Sequence, residues 1–488
     1  MKRIFSTFLI GTLCCGLFLV PGCNPQDEQN GQLDAESPTV IEVWHYYNGP
    51  QKMAFDALVS EFNETMGLEK GIVVETIGQG SVNDLTEKVL DAANKKVGMG
   101  EIPEIFAAYA DTAYQIDQMG LVADIGQYMT EEELAQYIPE YLEEGRIGEG
   151  SKLKIFPTAK STEVFMLNQT DWDKFAQATG ASTDALSTIE GLTKTAQAYY
   201  EWTDSLTPEP NDGKAFFGRD AMANYMIIGC KQLGTEIFQV TDGTVSLNCD
   251  QEILRKLWDN YYIPYINGYF AHYGRFRSDD AKTGDLIALV GSTSGAAYFP
   301  DHVVVNDEES YPIEVSVLPT PCFENGTKVA VQQGAGMVVS KTDEKRERAS
   351  LEFLKWFTQE ERNIAFSIES GYLPVKAAAN DAELLLSALD QLEPSAVTEN
   401  LKVSMPVAVE TVNEYELYTS KAFENGTNAR AVLENSMIDK AKADRAAIVE
   451  LMAGGMSREE AIAQYDTDEN FDAWFTQLKE DLDEAVNS

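Results

Sequence analysis

Aromatic and carboxylate side chains follow two predicted strands at the point where each strand ends. Trp44 and Tyr46 end the first β-branched run of the chain. Tyr109 and Asp111 follow a second apolar run in the same way. Ligands of open α/β sheets bind at the carboxyl ends of strands. Aromatic rings stack on apolar faces and polar side chains form hydrogen bonds, so the pattern agrees with a site for a neutral polar ligand. Packing in a core is the alternative for each ring taken alone.

Residue patterns typical of common enzymes are missing from the sequence. It contains no P-loop and no Gly-x-Ser-x-Gly elbow, and a glycine pair that begins like a dinucleotide fingerprint ends in Asn83. The acidic segment that starts at Asp466 lacks the glycine and the glutamate of a calcium loop. The histidines are scattered, at His45, His272 and His302. We therefore predict no catalytic residue, no metal and no cofactor.

A further polar pair, Arg219 and Asp220, follows an aromatic run. We interpret it as part of a ligand site, with a surface ion pair as the alternative. The aromatic cluster from Tyr261 to Tyr265 is interpreted as packing.

The elements that must position these side chains alternate between strand and helix. β-branched runs from Val40 and from Ile72 predict strands, and apolar residues at helical spacing predict helices over 52–63, 84–97 and 345–358. Such alternation favours a largely parallel sheet with right-handed crossovers. Capping boxes predict that helices begin near Thr130, Thr358 and Ser457.

The N-terminus has the pattern of an export signal. Met1-Lys2-Arg3 is followed by an uncharged run from Ile4 to Val20. The next residues, Pro21-Gly22-Cys23, resemble a bacterial lipobox, so we expect cleavage after residue 22 and a lipid on Cys23. The polar residues 23–39 predict a flexible tether. The body would then be anchored at the extracytoplasmic face of the cell membrane; an uncleaved anchor is the alternative.

Charge and cysteine content limit the partners. The chain has 37 Lys and Arg against 79 Asp and Glu, a formal net charge of −42. So acidic a protein repels phosphate backbones, which argues against nucleic acid. Beyond Cys23, the cysteines have no C-x-x-C spacing, which argues against zinc. A disulfide between Cys230 and Cys249 and free thiols throughout are both consistent with the sequence.

Six segments, in order, resemble those of the extracellular solute-binding proteins of ABC importers, the type that binds sugars and glycerol phosphodiesters. The segments are residues 41–44, 102–106, 120–125, 161–168, 334–339 and 371–375. The resemblance implies a periplasmic-binding-protein-like type II fold, with two α/β lobes joined by a hinge and a ligand cleft between them. It also implies binding without chemistry, in which the lobes close over the ligand.

The last two of these segments are particularly similar to the glycerol-3-phosphate-binding subgroup. The resemblance also implies four site residues, which are Ser161, Ser292, Gly334 and Tyr372. The arginine by which that subgroup contacts phosphate aligns with Val432, whereas Arg430 stands two residues earlier. The resemblance therefore does not extend to phosphate recognition.

The predicted division has a signal peptide, a tether and two discontinuous lobes. It assigns 1–22 to the signal, 23–39 to the tether, 40–155 and 300–342 to lobe one, and 156–299 and 343–488 to lobe two. Trp44 and Tyr372 are then expected on opposite lobes, facing one cleft. We expect a monomer that captures a mono- or oligosaccharide and delivers it to an ABC permease. Glycerol-3-phosphate or a glycerol phosphodiester is the alternative ligand. An exported carbohydrate-active hydrolase and a protein-binding scaffold are the alternative functions.

Overall fold

The computed structural model describes residues 32–241 and 243–487. The predicted signal peptide, Cys23 and the first part of the tether lie outside these residues. Within them, no helix combines the length and the apolar character needed to cross a bilayer. Asp34 and Ala35 contact Gly71, and the first strand starts at Thr39. Packed structure therefore begins before Val40, the boundary predicted from sequence.

Strands and helices alternate along most of the described chain. The strands are β1 Thr39–His45, β2 Ile72–Gly78, β3 Ile105–Ala108, β4 Arg146–Ile147, β5 Lys152–Leu153, β6 Ile155–Phe156, β7 Glu163–Asn168, β8 Phe217–Arg219, β9 Phe238–Thr241, β10 Thr244–Leu247, β11 Ala288–Ser292, β12 His302–Val304, β13 Ser310–Pro312, β14 Val315–Pro319, β15 Val329–Val331, β16 Gly336–Val339 and β17 Glu416–Tyr418. The helices are α1 Gly49–Glu64, α2 Met66–Lys70, α3 Val82–Ala93, α4 Ala110–Gln118, α5 Glu131–Leu134, α6 Pro139–Glu144, α7 Gln169–Thr179, α8 Ile189–Asp204, α9 Met222–Gln232, α10 Gln251–Ile266, α11 Arg277–Thr283, α12 Glu344–Phe357, α13 Glu360–Ser370, α14 Ala382–Leu389, α15 Ala396–Glu414, α16 Gly426–Ala453, α17 Arg458–Ile462 and α18 Asp468–Asn487.

The first lobe is built on a five-stranded sheet of order β2-β1-β3-β16-β6. Strands β2, β1 and β3 are parallel, whereas β16 runs antiparallel to β3 and β6. Ile41 and Val43 of β1 are fully buried, as their alternation with polar residues predicts. Because the parallel strands share one carboxyl edge, the residues that follow β1 and β3 come together there.

The second lobe is built on a four-stranded sheet of order β14-β7-β11-β8. Strand β7 is antiparallel to both β14 and β11, so the prediction of a largely parallel sheet is wrong for this lobe. Helices α8, α9, α10, α16 and α18 form an aromatic core, in which Trp258 stacks on Tyr262 with ring centroids 3.5 Å apart. Tyr261 and Tyr265 are buried in the same core, which confirms the packing interpretation of this cluster.

Two segments belong to the lobe opposite to the predicted one. Residues 343–375 were assigned to lobe two, but α12 packs on β1 and β16, and α13 packs on α1. Strand β14 falls in a segment assigned to lobe one, but it pairs with β7 of the second sheet. An amphipathic helix has an apolar face whichever sheet receives it, so its sequence does not identify that sheet. Tyr372, which follows α13, consequently lies beside the carboxyl end of β1, with its ring centroid 6.2 Å from that of Tyr47, so it does not face Trp44 from the opposite lobe.

The lobes are joined where chain segments cross near residues 160 and 333. Lys160 pairs with Leu373, and Ser161 pairs with Gln333, both in antiparallel bridges. Gly334 follows with a φ of 94°, and a Cβ there would lie 2.8 Å from the carbonyl oxygen of Ala159. Both observations require glycine at this crossing.

A buried ion pair holds the crossing together. The Lys160 side chain is 2 % exposed, and its ammonium donates to a Glu144 carboxylate oxygen at 2.7 Å and to the Gly334 carbonyl oxygen at 2.8 Å. The Gln332 amide donates to the same Glu144 oxygen. The carboxylate of α6 is thereby bonded to both crossing segments.

Replacing Lys160 by Met should lower the free energy of unfolding by about 3–5 kcal/mol, because the Glu144 carboxylate would stay buried without its cation. The matched control is Lys402→Met, whose partner Asp390 is 66 % exposed. There we expect a loss below about 1 kcal/mol. Urea unfolding followed by circular dichroism measures both values, and equal losses in the two variants would contradict the role given to Lys160.

Candidate functional site

A cavity of about 270 Å³ lies between the two lobes, next to the crossing segments. Lobe one contributes the start of α3, the first turn of α4 and the end of α6; lobe two contributes α9 and the start of α16. Its polar lining residues are Asn83, Thr86, Tyr109, Asp111, Thr112, Glu144, Asn224, Gln332, Gln333, Thr419, Ser420, Thr427 and Arg430. Hydrogen-bond donors and acceptors therefore surround the cavity from both lobes.

Tyr109 is the aromatic residue of lobe one that lines this cavity. Strand β3 is buried along its whole length and ends at Ala108, so the chain leaves the sheet at Tyr109, which precedes the first residue of α4. The side chain keeps 43 % of its surface exposed. An aromatic ring that remains exposed in an interlobe cavity is suited to stacking on a ligand.

Asp111 occupies the first turn of α4 and reaches the second lobe. A Cβ built on Gly426, the first residue of α16, would lie 2.4 Å from an Asp111 carboxylate oxygen, so the carboxylate rests directly on that glycine. Burial raises the pKa of Asp111 to about 6, against the opposing effects of the Phe423 backbone N–H and of Arg430. At neutral pH the group is an ionised carboxylate between the lobes.

A chain of buried polar contacts fixes the lobe-two wall. Glu163 accepts from Arg219 at 2.8 Å and from the Asn224 amide at 2.7 Å. The side-chain oxygen of Asn224 in turn accepts a hydrogen bond from the Arg430 guanidinium. Strands β7 and β8 thus orient Asn224, and Asn224 orients Arg430 at the cavity.

A second group of hydroxyls lies beside the crossing. The Tyr46 and Tyr372 hydroxyl oxygens are 3.2 Å apart, and the Tyr372 hydroxyl also bonds to the Ser294 side chain. Burial raises the pKa of both phenols, so both remain proton donors at neutral pH. Tyr109 lies near enough to act electrostatically on both of them. This group links the carboxyl edge of β1 to the β11 end of lobe two.

Three other residues of the predicted site lie away from the cavity lining. Trp44 is 7 % exposed and its indole N–H donates to Glu42 within lobe one. Asp220 accepts from the Arg277 backbone N–H at 2.9 Å, and its neighbour Arg219 is bonded to Glu163 as described.

Three further predicted residues lie at or near the crossing. Ser161 is buried in its bridge to Gln333. Ser292 caps the turn that leads to Ser294 and so lies near Tyr372. Gly334 belongs to the crossing itself. The structure therefore brings Tyr109 and Asp111 together at the cavity, and groups Tyr46, Tyr372 and Ser292 beside it.

A larger cavity of about 690 Å³ adjoins the first. The two share Glu144, Phe238 and Gln332 among their lining residues. Its lobe-two wall includes strand β9 and Gly243, and a Cβ on Gly243 would meet the Tyr114 hydroxyl of lobe one at 2.3 Å. Space for a ligand therefore extends beyond the first cavity.

Sequence reasoning missed Glu144, Asn224 and Gln332, and it did not count Arg430 among the site residues. Asn224 carried a signal, because it is a lone amide in the apolar run that opens α9, where it is 1 % exposed. Glu144 carried none, since it is one glutamate among many and its partner Lys160 is distant in space until the chain folds.

The described residues contain neither a candidate metal site nor a disulfide bond. They contain no group of three or more His, Cys, Asp or Glu placed to hold a metal ion. Within the same ranges Cys230, Cys249 and Cys322 carry free thiols, and Cys230 is buried. The alternative of a Cys230–Cys249 disulfide is not realised in this structure.

Three solved structures illustrate the likeness of the fold. The cyclic α-maltosyl-1,6-maltose binding protein of Arthrobacter globiformis has a TM-score of 0.63 and 18 % identity, covering 92 % of this chain and 99 % of its own. UgpB of Mycobacterium tuberculosis in complex with glycerophosphocholine has a TM-score of 0.64 and 17 % identity, covering 92 % and 100 %. The galacto-N-biose-/lacto-N-biose I-binding protein of the Bifidobacterium longum ABC transporter has a TM-score of 0.63 and 15 % identity, covering 93 % and 98 %.

A search of curated protein sequences found no match. A family profile described as bacterial extracellular solute-binding protein matches residues 57–389. The match includes β2, β3, the crossing near residue 160 and the late segment around Tyr372. Since it covers more than half of the sequence, the chain belongs to the bacterial extracellular solute-binding protein family.

Proposed function

We propose that this protein captures a neutral carbohydrate outside the cytoplasmic membrane and delivers it to an ABC permease. The observation that carries the proposal is the interlobe cavity, in which the open ring of Tyr109 lies among hydrogen-bonding groups of both lobes. Sugars have apolar C–H faces and hydroxyl edges, and they need both kinds of contact. A ligand bridging the lobes would favour the closed arrangement, which is the form a permease would recognise.

The cavity contains groups for both roles that a hydroxyl plays. The Asp111 and Glu144 carboxylates and the Gln333 amide oxygen can accept hydrogen bonds, whereas Arg430 and the Asn83 amide can donate them. The adjoining cavity leaves room for more than one sugar ring. One compared structure is of a protein that binds cyclic α-maltosyl-1,6-maltose, and another holds lacto-N-biose. Both support a glycan as the ligand class, whereas UgpB with glycerophosphocholine supports the alternative.

One observation favours a second candidate function, glycan cleavage, because Asp111 and Glu144 both line the cavity. Glycosidases use two carboxyl groups across the scissile bond. Here Glu144 is engaged by Lys160 and Gln332. The described residues that line the 270 Å³ cavity hold no other carboxyl group, since Glu140, Glu143 and Glu236 line only the adjoining cavity. We therefore favour binding without chemistry. Chromatography of an oligosaccharide after incubation distinguishes the two functions, since a receptor returns it unchanged.

We further propose that the protein is a monomer anchored by a lipid on Cys23. The support is the lipobox-like sequence and the family match. We expect Cys23→Ala to release the protein from the membrane fraction, and the mass of the membrane-extracted protein to correspond to a lipidated N-terminus at Cys23. An intact Met1 in that protein would contradict the anchor.

A thermal-shift screen against mono-, di- and oligosaccharides tests the ligand class. A ligand that binds only the folded state stabilises it by about 2.7 kcal/mol at a hundredfold excess over its Kd. We expect at least one neutral glycan to raise the melting temperature in proportion to the logarithm of its concentration. A glycerol phosphodiester that shifts the melting temperature while every glycan fails would overturn the proposed ligand.

Tyr109→Ala should weaken binding of the glycan found in that screen by about 1–3 kcal/mol, because an exposed ring that covers the ligand is removed. Stability without ligand should change little, since the ring is partly exposed already. Tyr273→Ala is the matched control, because that ring is 70 % exposed and does not line either interlobe cavity. Titration calorimetry measures both affinities, and equal affinity for the Tyr109 variant and the control would remove Tyr109 from the site.

A further inference from the structure

Asp111 is the one residue of α4 whose carboxylate meets the N-terminus of a lobe-two helix. It rests on Gly426, where any side chain would displace it, and it lies within hydrogen-bonding reach of the Phe423 backbone N–H. Helix α16 begins at Gly426 and continues to Ala453. A carboxylate from lobe one thus occupies the start of a long helix in lobe two.

That position attracts negative charge for two independent reasons. The free N–H groups at the start of a helix carry partial positive charge. Arg430 follows one turn later in the same helix and acts electrostatically on Asp111. Its guanidinium is held in place by Asn224, which is itself fixed by Glu163. The lobe-two wall is therefore built to face an anion, and the protein supplies that anion itself.

The other charges at the 270 Å³ cavity leave no further cation in its described lining to receive an anionic ligand, since Arg146, Lys231 and Lys421 line only the adjoining cavity. Among the described residues that line the 270 Å³ cavity, the charged ones are Asp111, Glu144 and Arg430. Lys160 lies behind the lining and is already bonded to Glu144 and to the Gly334 carbonyl. Since burial raises the pKa of Asp111 to about 6, its carboxylate is ionised at pH 7.5. A phosphate or carboxylate that enters the 270 Å³ cavity beside Asp111 would therefore meet like charge, with Arg430 as the one cation in the described lining.

We propose that Asp111 sets the charge specificity of the site: its carboxylate occupies the position that an anionic ligand group would take, so the cavity accepts uncharged hydroxyl-rich ligands and rejects anionic ones. This inference rests on the proposed function for the site's location, because it assumes that the interlobe cavity receives the ligand. It adds a reason why a sugar phosphate or glycerol phosphate is excluded although an arginine faces the cavity.

The test compares the wild type with Asp111→Asn by titration calorimetry at pH 7.5, with glycerol 3-phosphate and inorganic phosphate as probes. Glu424→Gln is the matched control, since it removes one carboxylate beside Phe423 from an exposed position. A double variant, Asp111→Asn with Arg430→Gln, removes the cation as well. Asp111→Ser provides a smaller neutral replacement if the Asn variant does not fold.

We expect phosphate binding by the wild type and by Glu424→Gln to be weak and of equal affinity. The neutral variants of Asp111 should gain affinity for both probes by roughly tenfold or more, the scale of a helix terminus combined with one charge-assisted bond. Adding Arg430→Gln should abolish the gain. Binding of glycerol 3-phosphate by the wild type as tightly as by Asp111→Asn, or a gain of equal size in Glu424→Gln, would overturn the proposal.

The result separates this inference from the proposed function. If glycans fail to bind but the neutral variants still gain phosphate affinity, exclusion by Asp111 stands and the carbohydrate assignment fails. If a neutral glycan binds but the variants gain no phosphate affinity, the carbohydrate assignment stands and exclusion by Asp111 fails.

Discussion

The ion pair between Lys160 and Glu144 is the interaction on which the arrangement of the two lobes depends. The segments that cross between the lobes run through the interior, and a buried ammonium is tolerated only if its hydrogen bonds are made. Lys160 makes them to a carboxylate of α6 and to the backbone at Gly334, so a helix of lobe one and both crossing segments share one set of contacts. A shift of either segment would leave Lys160 or Glu144 buried without its charged partner. This cost restricts the path that the crossing segments can take between the lobes.

This constraint also places the cavity. Glu144 faces the cavity from one side while it holds Lys160 from the other, and Gln332 contacts both the carboxylate and the cavity. The floor of the site is therefore the hinge itself. The walls are fixed separately, by the end of β3 in lobe one and by the Glu163, Asn224 and Arg430 chain in lobe two. Each wall is thus held by contacts within its own lobe, which is the property that closure around a ligand would require.

Much of the fold, and the position of two residues at the interlobe cavity, could be predicted from sequence. Tyr109 and Asp111 line that cavity because they follow a buried parallel strand, and position at a strand end is encoded locally. The capping boxes at Thr130 and Ser457 begin helices, and α13 begins at Glu360, near Thr358 as predicted, although Thr358 itself is the C-cap of α12 and Gln359 is the N-cap of α13. Trp44 follows the same strand-end logic as Tyr109, yet it is bonded to Glu42 in the core. The sheet that receives α12 and the pairing of Lys160 with Glu144 are decided by tertiary contacts, which local patterns do not contain.

The contact between Asp111 and the start of α16 contributes little net free energy to holding the lobes together. If the lobes separated, the carboxylate and the helix N–H groups would each form hydrogen bonds to water instead. A hydrogen bond that water can replace contributes only about 0.5–1.5 kcal/mol net. Burial also disfavours the charged form of Asp111, as its raised pKa indicates, and this makes the net contribution of the hydrogen bond smaller still. Under the proposed function, a ligand that touches Tyr109 on one lobe and Arg430 on the other would bind the closed arrangement selectively, and its differential affinity would then determine the population.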